Sequence, residues 1–433
     1  MKRLILTLAA ATALTASAEV MTLDQCIAYA IENNLTVRQR DIDRMTAEQE
    51  VVSAKDAVLP QISGSASQTW NFGRGLTATN TYANRNTSGF GASIGLQLPL
   101  FNGLQTIRNV SYAKASLVAV VEGLEAAKDD VTLRVMAQYL QVLYCSELEG
   151  VARAQAELTA EEQTRREALL AAGKIPEADM LDARSQAAQA RMQLVSAQND
   201  RRLALLDLAQ LLRLPDVNDF DVVALDTDEQ SPVIRDPQQV YDAALGFNHT
   251  IMANRLQVDA AERGIRLAQT GYIPRLSFNA GLGSNYYRVA GFDNESFSQQ
   301  FKHNFSQQIG FTLTVPLFDG FSTRNSVRSA RIRRLSADLN LETQKDNLFK
   351  AVNESYCQAV GAREKLAAAE EACKASAAAL AAVQEKYNLG RATPTDFDTA
   401  RNAFIKSMSE RAQARYELIL RARILDFYAT PHS

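Results

Sequence analysis

The chain has no proline between Leu100 and Ile175, and none between Leu317 and Thr393. An interior proline costs a helix about 3 kcal/mol, so these two gaps are where very long helices are permitted. Both stretches are alanine-rich, charge-laced and helical in period. Helices over 104–172 and 321–389 reach about 100 Å each if unbroken. Such a helix cannot bury itself in a compact globule. It must pack against neighbours in a coiled coil or bundle. Shorter helices are expected over 177–213 and 395–428.

Each gap opens with the same phrase. Leu98-Pro99-Leu100-Phe101-Asn102-Gly103 returns as Val315-Pro316-Leu317-Phe318-Asp319-Gly320. Apolar and polar residues alternate before each copy, the period of a strand. Pro99 and Pro316 are expected to end those strands, since proline offers no N–H to a ladder. Asn102 or Asp319 caps the helix that follows, and Gly103 or Gly320 turns the backbone into it. Pro99, Phe101, Gly103, Pro316, Phe318 and Gly320 thus mark a strand-to-helix corner.

The corner belongs to a duplication. A shift of 214 aligns Gln25 with Gln239, Asn34 with Asn248, Thr36 with Thr250 and Pro60 with Pro274. A shift of 217 aligns Thr106 with Thr323, Tyr139 with Tyr356, Gly173 with Gly390, Asp179 with Asp396 and Ala183-Arg184 with Ala400-Arg401. Residues 19–214 form the first repeat, 215–235 an acidic connector in which 220–225 reads as a short strand, and 236–433 the second repeat.

Within the first repeat, Thr22-x-x-Gln25 reads as a capping box on a helix ending near Asn33. Thr36-x-x-Gln39 opens another that runs to about Val58. Strands follow over about 61–72, 89–100, 275–286 and 305–317. Ile62, Gly64, Ala66, Gln68, Trp70 and Phe72 share one face of the first, opposite Gln61, Ser63, Ser65, Ser67, Thr69 and Asn71. Phe90, Ala92, Ile94, Leu96 and Leu98 alternate with Gly and polar residues in the second. Glycine concentrates here, with 13 of 20 inside 61–103 and 271–320. A tilted strand crossing a bilayer needs about 9–11 residues, which these supply.

Lys2-Arg3, the apolar run Leu4–Ala13 and Ala16-Ser17-Ala18 form a secretory signal over residues 1–18. The net charge of −3 implies no nucleic-acid partner. Cys26, Cys145, Cys357 and Cys373 match no metal spacing; they read as small buried helix residues, with a disulfide as the alternative. His249, His303 and His432 have no partnering pattern. Without a phosphate loop, nucleophile elbow or metal cluster, neither an enzyme nor a cofactor is expected.

In lipid, each unpaired backbone N–H or C=O costs several kcal/mol, so only helices and closed barrels span. Four strands are too few, because the smallest membrane barrels have about eight. Several copies must share one barrel around a water-filled lumen. A soluble periplasmic coiled-coil adaptor or scaffold is the competing reading.

The signal, the LPLFNG/VPLFDG corner, the paired strands between long helices and the Gly-bounded turns together resemble the TolC family of outer-membrane efflux proteins. The resemblance covers essentially the whole mature chain. It implies a mixed, mainly α protomer with long antiparallel coiled-coil helices and four transmembrane β-strands contributed to a shared barrel. It further implies a homotrimer in the outer membrane of a Gram-negative bacterium, with its lipid around the barrel and a helical tunnel in the periplasm. A periplasmic adaptor and an inner-membrane transporter are the implied partners, and passive export by efflux or type I secretion is the implied function.

In such a family the two helical turns form the periplasmic tip. Gly173, Lys174, Asp179, Gly390 and Arg391 are then the adaptor-docking residues, and Asp396, Asp398 and Tyr387 the periplasmic gate. The plain alternative makes Gly173 and Gly390 helix C-caps, and Asp179 and Asp396 acids favoured by the helix dipole. Trp70, Phe72, Tyr286 and Tyr287 are candidates for an aromatic belt at the membrane interface, or for ordinary strand packing.

Overall fold

The computed structural model describes residues 19–76, 80–84, 86–215, 220–224 and 233–431. The expected signal over 1–18, connector residues 216–219 and 225–232, and His432 lie outside them. In chain order the elements are β1 (Glu19–Met21), α1 (Leu23–Asn33), α2 (Leu35–Asp56), β2 (Gln61–Asn71), β3 (Arg74–Leu76), β4 (Tyr82–Asn84) and β5 (Thr87–Phe101). Then come α3 (Gln105–Ala171), α4 (Glu177–Leu212), β6 (Phe220–Val222), α5 (Pro237–Phe247) and α6 (His249–Ala268). A 3-10 turn leads to β7 (Arg275–Val289), α7 (Phe297–His303), β8 (Ser306–Thr314), α8 (Ser322–Asn388) and α9 (Pro394–Ala429). The duplication is visible in the lengths: α3 and α8 have 67 residues each, α4 and α9 have 36 each.

Two compact units cut across this repeat. One gathers 43–121 and 253–342; the other holds the described residues up to Ile42, with 122–252 and 343–431.

The first unit is built on a four-stranded antiparallel sheet in the order β2-β5-β7-β8. Its register sets Ile94 between Gly64 and Leu282, and Ala280 beside Ile309. Ile62, Trp70, Ile94, Leu282, Ile309, Phe311 and Leu313 therefore share one face, and every one of them is exposed. The opposite face pairs its polar groups with each other: Ser65 with Ser93 at 2.9 Å, Asn71 with Thr87 at 3.3 Å, Asn279 with Thr312 at 3.1 Å. Edge strands β2 and β8 each have one neighbour in the sheet.

The first corner departs from the expectation, and the two differ from each other. Pro99 does not end β5; it pairs with Ser277, and the register slips between Pro99 and Phe101. The pairing of β2 begins at Gln97, so Pro99 lies on a stretch with a single neighbour and at a bulge, the places where a missing N–H is tolerated. In the second copy the strand stops at Thr314, before Pro316. Both turns then put two successive residues in the left-handed region, Gly103 with Leu104 and Gly320 with Phe321. The expected caps are present: Asn102 Oδ1 accepts from Thr106 N–H at 3.4 Å, and Asp319 Oδ2 accepts from Thr323 N–H at 2.8 Å.

In the second unit, Tyr139, Val135, Leu208 and Leu212 of α3 and α4 bury against Cys26 and Ala30 of α1. β1 pairs in parallel with β6. The Tyr139 hydroxyl lies 3.2 Å from the Met21 carbonyl and 2.6 Å from that of Val223, tying both strands to α3. Burial pushes its pKa up to about 12. Thr22 and Gln25 form the expected capping box. Thr36 does not cap α2: Asn34 does, accepting from Thr36 N–H at 2.8 Å while donating to the Leu211 carbonyl at 3.1 Å. That second bond holds Asn34 in place, so the cap falls two residues early. All four cysteines are free, and Cys357 is exposed rather than buried. Among the described residues no helix is long and apolar enough to cross a membrane, and no cluster could hold a metal ion.

Candidate functional site

The turn between α3 and α4 and the turn between α8 and α9 have the same backbone. Gly173 is left-handed at φ 67°; its N–H meets the Leu170 carbonyl at 2.8 Å and that of Lys174 meets Leu169 at 2.9 Å. Gly390 is left-handed at φ 70°; its N–H meets Tyr387 at 3.0 Å and that of Arg391 meets Lys386 at 2.7 Å. Both are Schellman caps, in which glycine takes the position that a Cβ would strain. Open space surrounds each glycine, so conformation alone demands it. Gly173, Lys174, Gly390 and Arg391 are exposed, and Asp179 is half-buried.

The helices that follow start differently. Pro176 precedes α4 and offers no side-chain cap. Thr393 and Asp396 form a full capping box on α9, with Thr393 N–H to Asp396 Oδ2 at 3.0 Å and Asp396 N–H to Thr393 Oγ1 at 3.1 Å. The Thr393 hydroxyl and N–H hold the exposed Asp396 carboxyl below its ordinary range.

Behind the second turn lies a buried polar network joining both helical hairpins. The Tyr387 hydroxyl donates to Glu162 Oε1 at 2.9 Å, and the same oxygen accepts from Arg166 Nε at 2.9 Å. The Tyr387 ring stacks on Phe397 at 5.2 Å. Burial, and then the adjacent Glu162, push the Tyr387 pKa up. Asp398 is buried, with Arg401 one turn along at 2.9 Å. That contact is an ion pair without an aligned hydrogen bond, which leaves Oδ1 of Asp398 without a hydrogen-bond partner. Gln186 of α4 bridges the pair: its Nε2 donates to Asp398 Oδ2, and its Oε1 accepts from Arg401 at 2.8 Å. Burial pulls the Arg401 pKa down, although a guanidinium stays charged at any physiological pH.

Of the three expected gate residues, only Asp396 is an exposed acid. Asp398 and Tyr387 instead belong to this network, so Asp398 is not available as a free surface carboxylate within the protomer. Glu162, Arg166, Gln186 and Arg401 were not singled out from the sequence. The one available signal was the i, i+3 spacing of Asp398 and Arg401, which puts acid and base on one helix face. Tyr286 and Tyr287 alternate faces: Tyr286 lies beneath Phe297 at 5.2 Å, while the Tyr287 ring lies over Gly89 on the polar face. Tyr287 therefore lies on the face opposite Trp70 and Tyr286.

A family model described as "Outer membrane efflux protein" matches residues 26–212 and 240–427. The chain is 24% identical over 411 residues to the outer membrane efflux protein BepC of Brucella suis, covering 94% of this chain and 85% of that one. It is 23% identical over 400 residues to the outer membrane protein TolC of Escherichia coli, covering 90% and 78%. Among solved structures, the Campylobacter jejuni CmeC outer membrane channel superposes with a TM-score of 0.74 at 17% identity, covering 94% of this chain and 85% of that one.

Proposed function

The chain belongs to the outer membrane efflux protein family, and from that membership we propose how an outer-membrane export channel is assembled from it. Three copies join edge to edge, the β8 of one against the β2 of the next, to close a twelve-stranded barrel. The observation that carries this reading is the open four-stranded sheet, apolar and exposed on one face and polar on the other. In hydrocarbon its two free edges would each leave a row of unpaired N–H and C=O groups, a cost that pairing between copies removes. The apolar face meets lipid and the face of Ser65, Ser93, Asn279 and Thr312 lines water. Side chains so neutral select weakly among solutes, which suits a passive duct.

The helical hairpins form the periplasmic end. There the exposed Gly173, Lys174, Gly390 and Arg391, with Asp179, offer the turns on which a periplasmic adaptor docks; an inner-membrane transporter behind it supplies energy and cargo choice. Asp396, repeated by symmetry, forms an acidic ring that favours cations. Tyr387 and Asp398 act with it as latches, through Glu162 and through Gln186, holding the α8–α9 hairpin against α3–α4. The two sequence repeats supply one hairpin and two strands each, and residues 1–18 address the chain for secretion.

Single-channel recording tests the gate. Asp396→Ala is expected to reduce cation preference, and Tyr387→Phe to raise the closed-state conductance. Unchanged conductance and selectivity in both variants would remove the gate from this turn.

A further inference from the structure

Beyond Gly283, β7 runs six residues past the last pairing with β8. The connection between these strands folds back over that stretch as α7. Gln300 accepts from Tyr287 N–H at 3.0 Å and donates to the Tyr287 carbonyl at 3.0 Å. Asn304 donates to the Asn285 carbonyl at 2.8 Å, and the Ser284 hydroxyl donates to the Phe301 carbonyl. Phe297 and Phe301, one helical turn apart, pack over Phe90 at 5.7 and 6.0 Å, and Phe297 over Tyr286 at 5.2 Å. Phe90 and Tyr286 are register partners on the apolar face. The helix thus packs on the apolar face of the sheet.

Its edge forms one bank of a groove of about 540 Å³ on that same face. Small residues, Gly64, Ala66 and Ala92, make the floor, and Ile94, Leu282, Phe301 and Phe305 the sides. Pairing between copies takes place in the plane of the sheet and leaves this face uncovered. Toward the hairpin end of the same strands lie two exposed cations: Lys302, next to Phe301, and Arg288, in register with Ser88 and four residues beyond Ser284, with Tyr286 between. Among the described residues neither forms an ion pair, whereas the neighbouring His303 lies 3.7 Å from Glu295.

We propose that this groove, together with Arg288 and Lys302 toward the hairpin end, is a binding site for lipid A, one acyl chain lying along Ala66 and Ala92 and a glucosamine phosphate meeting the two cations. The proposal rests on the channel reading. The long helices occupy the periplasm, so the hairpin connection carrying α7 points outward, into the leaflet where a phosphorylated, multiply acylated lipid is the resident. An apolar groove with two unpaired cations further along the same hairpin has the polarity of that molecule, whereas a zwitterionic phospholipid would leave the cations half-neutralised.

Native mass spectrometry of the detergent-solubilised assembly, titrated with lipid A and separately with phosphatidylethanolamine, tests it. The wild type is expected to retain lipid A in preference. Arg288→Ala with Lys302→Ala is expected to bind it about tenfold or more weakly, each lost cation being worth roughly one step of headgroup attraction. Ala66→Leu, which fills the floor without touching the charges, is expected to weaken it too. Both variants keep wild-type conductance in planar bilayers. Equal affinity of the double variant, or equal retention of both lipids by the wild type, overturns the site while leaving the channel standing. A protein that neither assembles nor conducts overturns both.

Discussion

The two hairpin turns are one backbone used for two purposes. Gly173 and Gly390 close their helices with the same pair of hydrogen bonds at nearly the same φ. Three residues on, the copies part: Pro176 leaves α4 without a side-chain cap, while Thr393 and Asp396 lock the start of α9. The divergence deepens one turn later. Asp398 and Arg401 are buried and bridged by Gln186, whereas their equivalents under the 217-residue shift, Leu181 and Arg184, are exposed. Duplication preserved what the helices need to turn around. The capping box and the buried Asp398–Arg401 pair stand on the second copy.

The sharpest way to break this comparison is to remove the buried acid. Asp398→Ala strands the Arg401 charge, and removing one partner of a buried pair costs about 3 kcal/mol or more. Hydrogen exchange across the first turns of α9 should show opening easier by about that amount. Leu181→Ala, at the matching place on α4, should stay within about 0.5 kcal/mol as an exposed substitution. Similar effects from both would make the asymmetry cosmetic.

Alanine at the two glycines should instead erase the difference. Each forces a Cβ into the left-handed region, at about 1–2 kcal/mol. Gly173→Ala and Gly390→Ala should loosen their own hairpins equally by hydrogen exchange, since nothing crowds either position. Tyr387→Phe should cost about 1 kcal/mol, one hydroxyl donor to Glu162, and should raise the closed-state conductance.

The smallest effect is one of pH. Asp396 has a folded pKa below its unfolded value, so its contribution is present above the ordinary carboxyl range and is lost as pH falls through the folded value. The first turn of α9 should therefore fray on acidification below about pH 4, and Asp396→Asn should remove that dependence in the exchange profile.

Much of the architecture was legible because it follows from period and proline. The four long helices begin and end within a residue of their expected bounds, fixed by proline-free stretches and Gly turns. Strand faces were nearly as plain, because apolar and polar residues alternate along most of β2 and β5, with Gln68 and Ser88 as exceptions on the apolar face. What stayed hidden depended on partners distant in sequence. Pro99 sits inside a strand because β2 ends its pairing just before it, which local sequence cannot convey. Asn34 takes the cap from Thr36 because Leu211, 177 residues away, fixes its side chain. Asp398 looks like a surface acid until Gln186, 212 residues earlier, closes over it. The second left-handed residue at each corner, Leu104 and Phe321, carries no sequence mark at all.

The central claim is that one copy of this chain cannot complete its own membrane wall. Native mass spectrometry of the protein extracted from outer membranes weighs it directly. The account predicts a detergent-dependent particle with the mass of three chains, whereas a single chain, stable and folded in plain buffer, would contradict it.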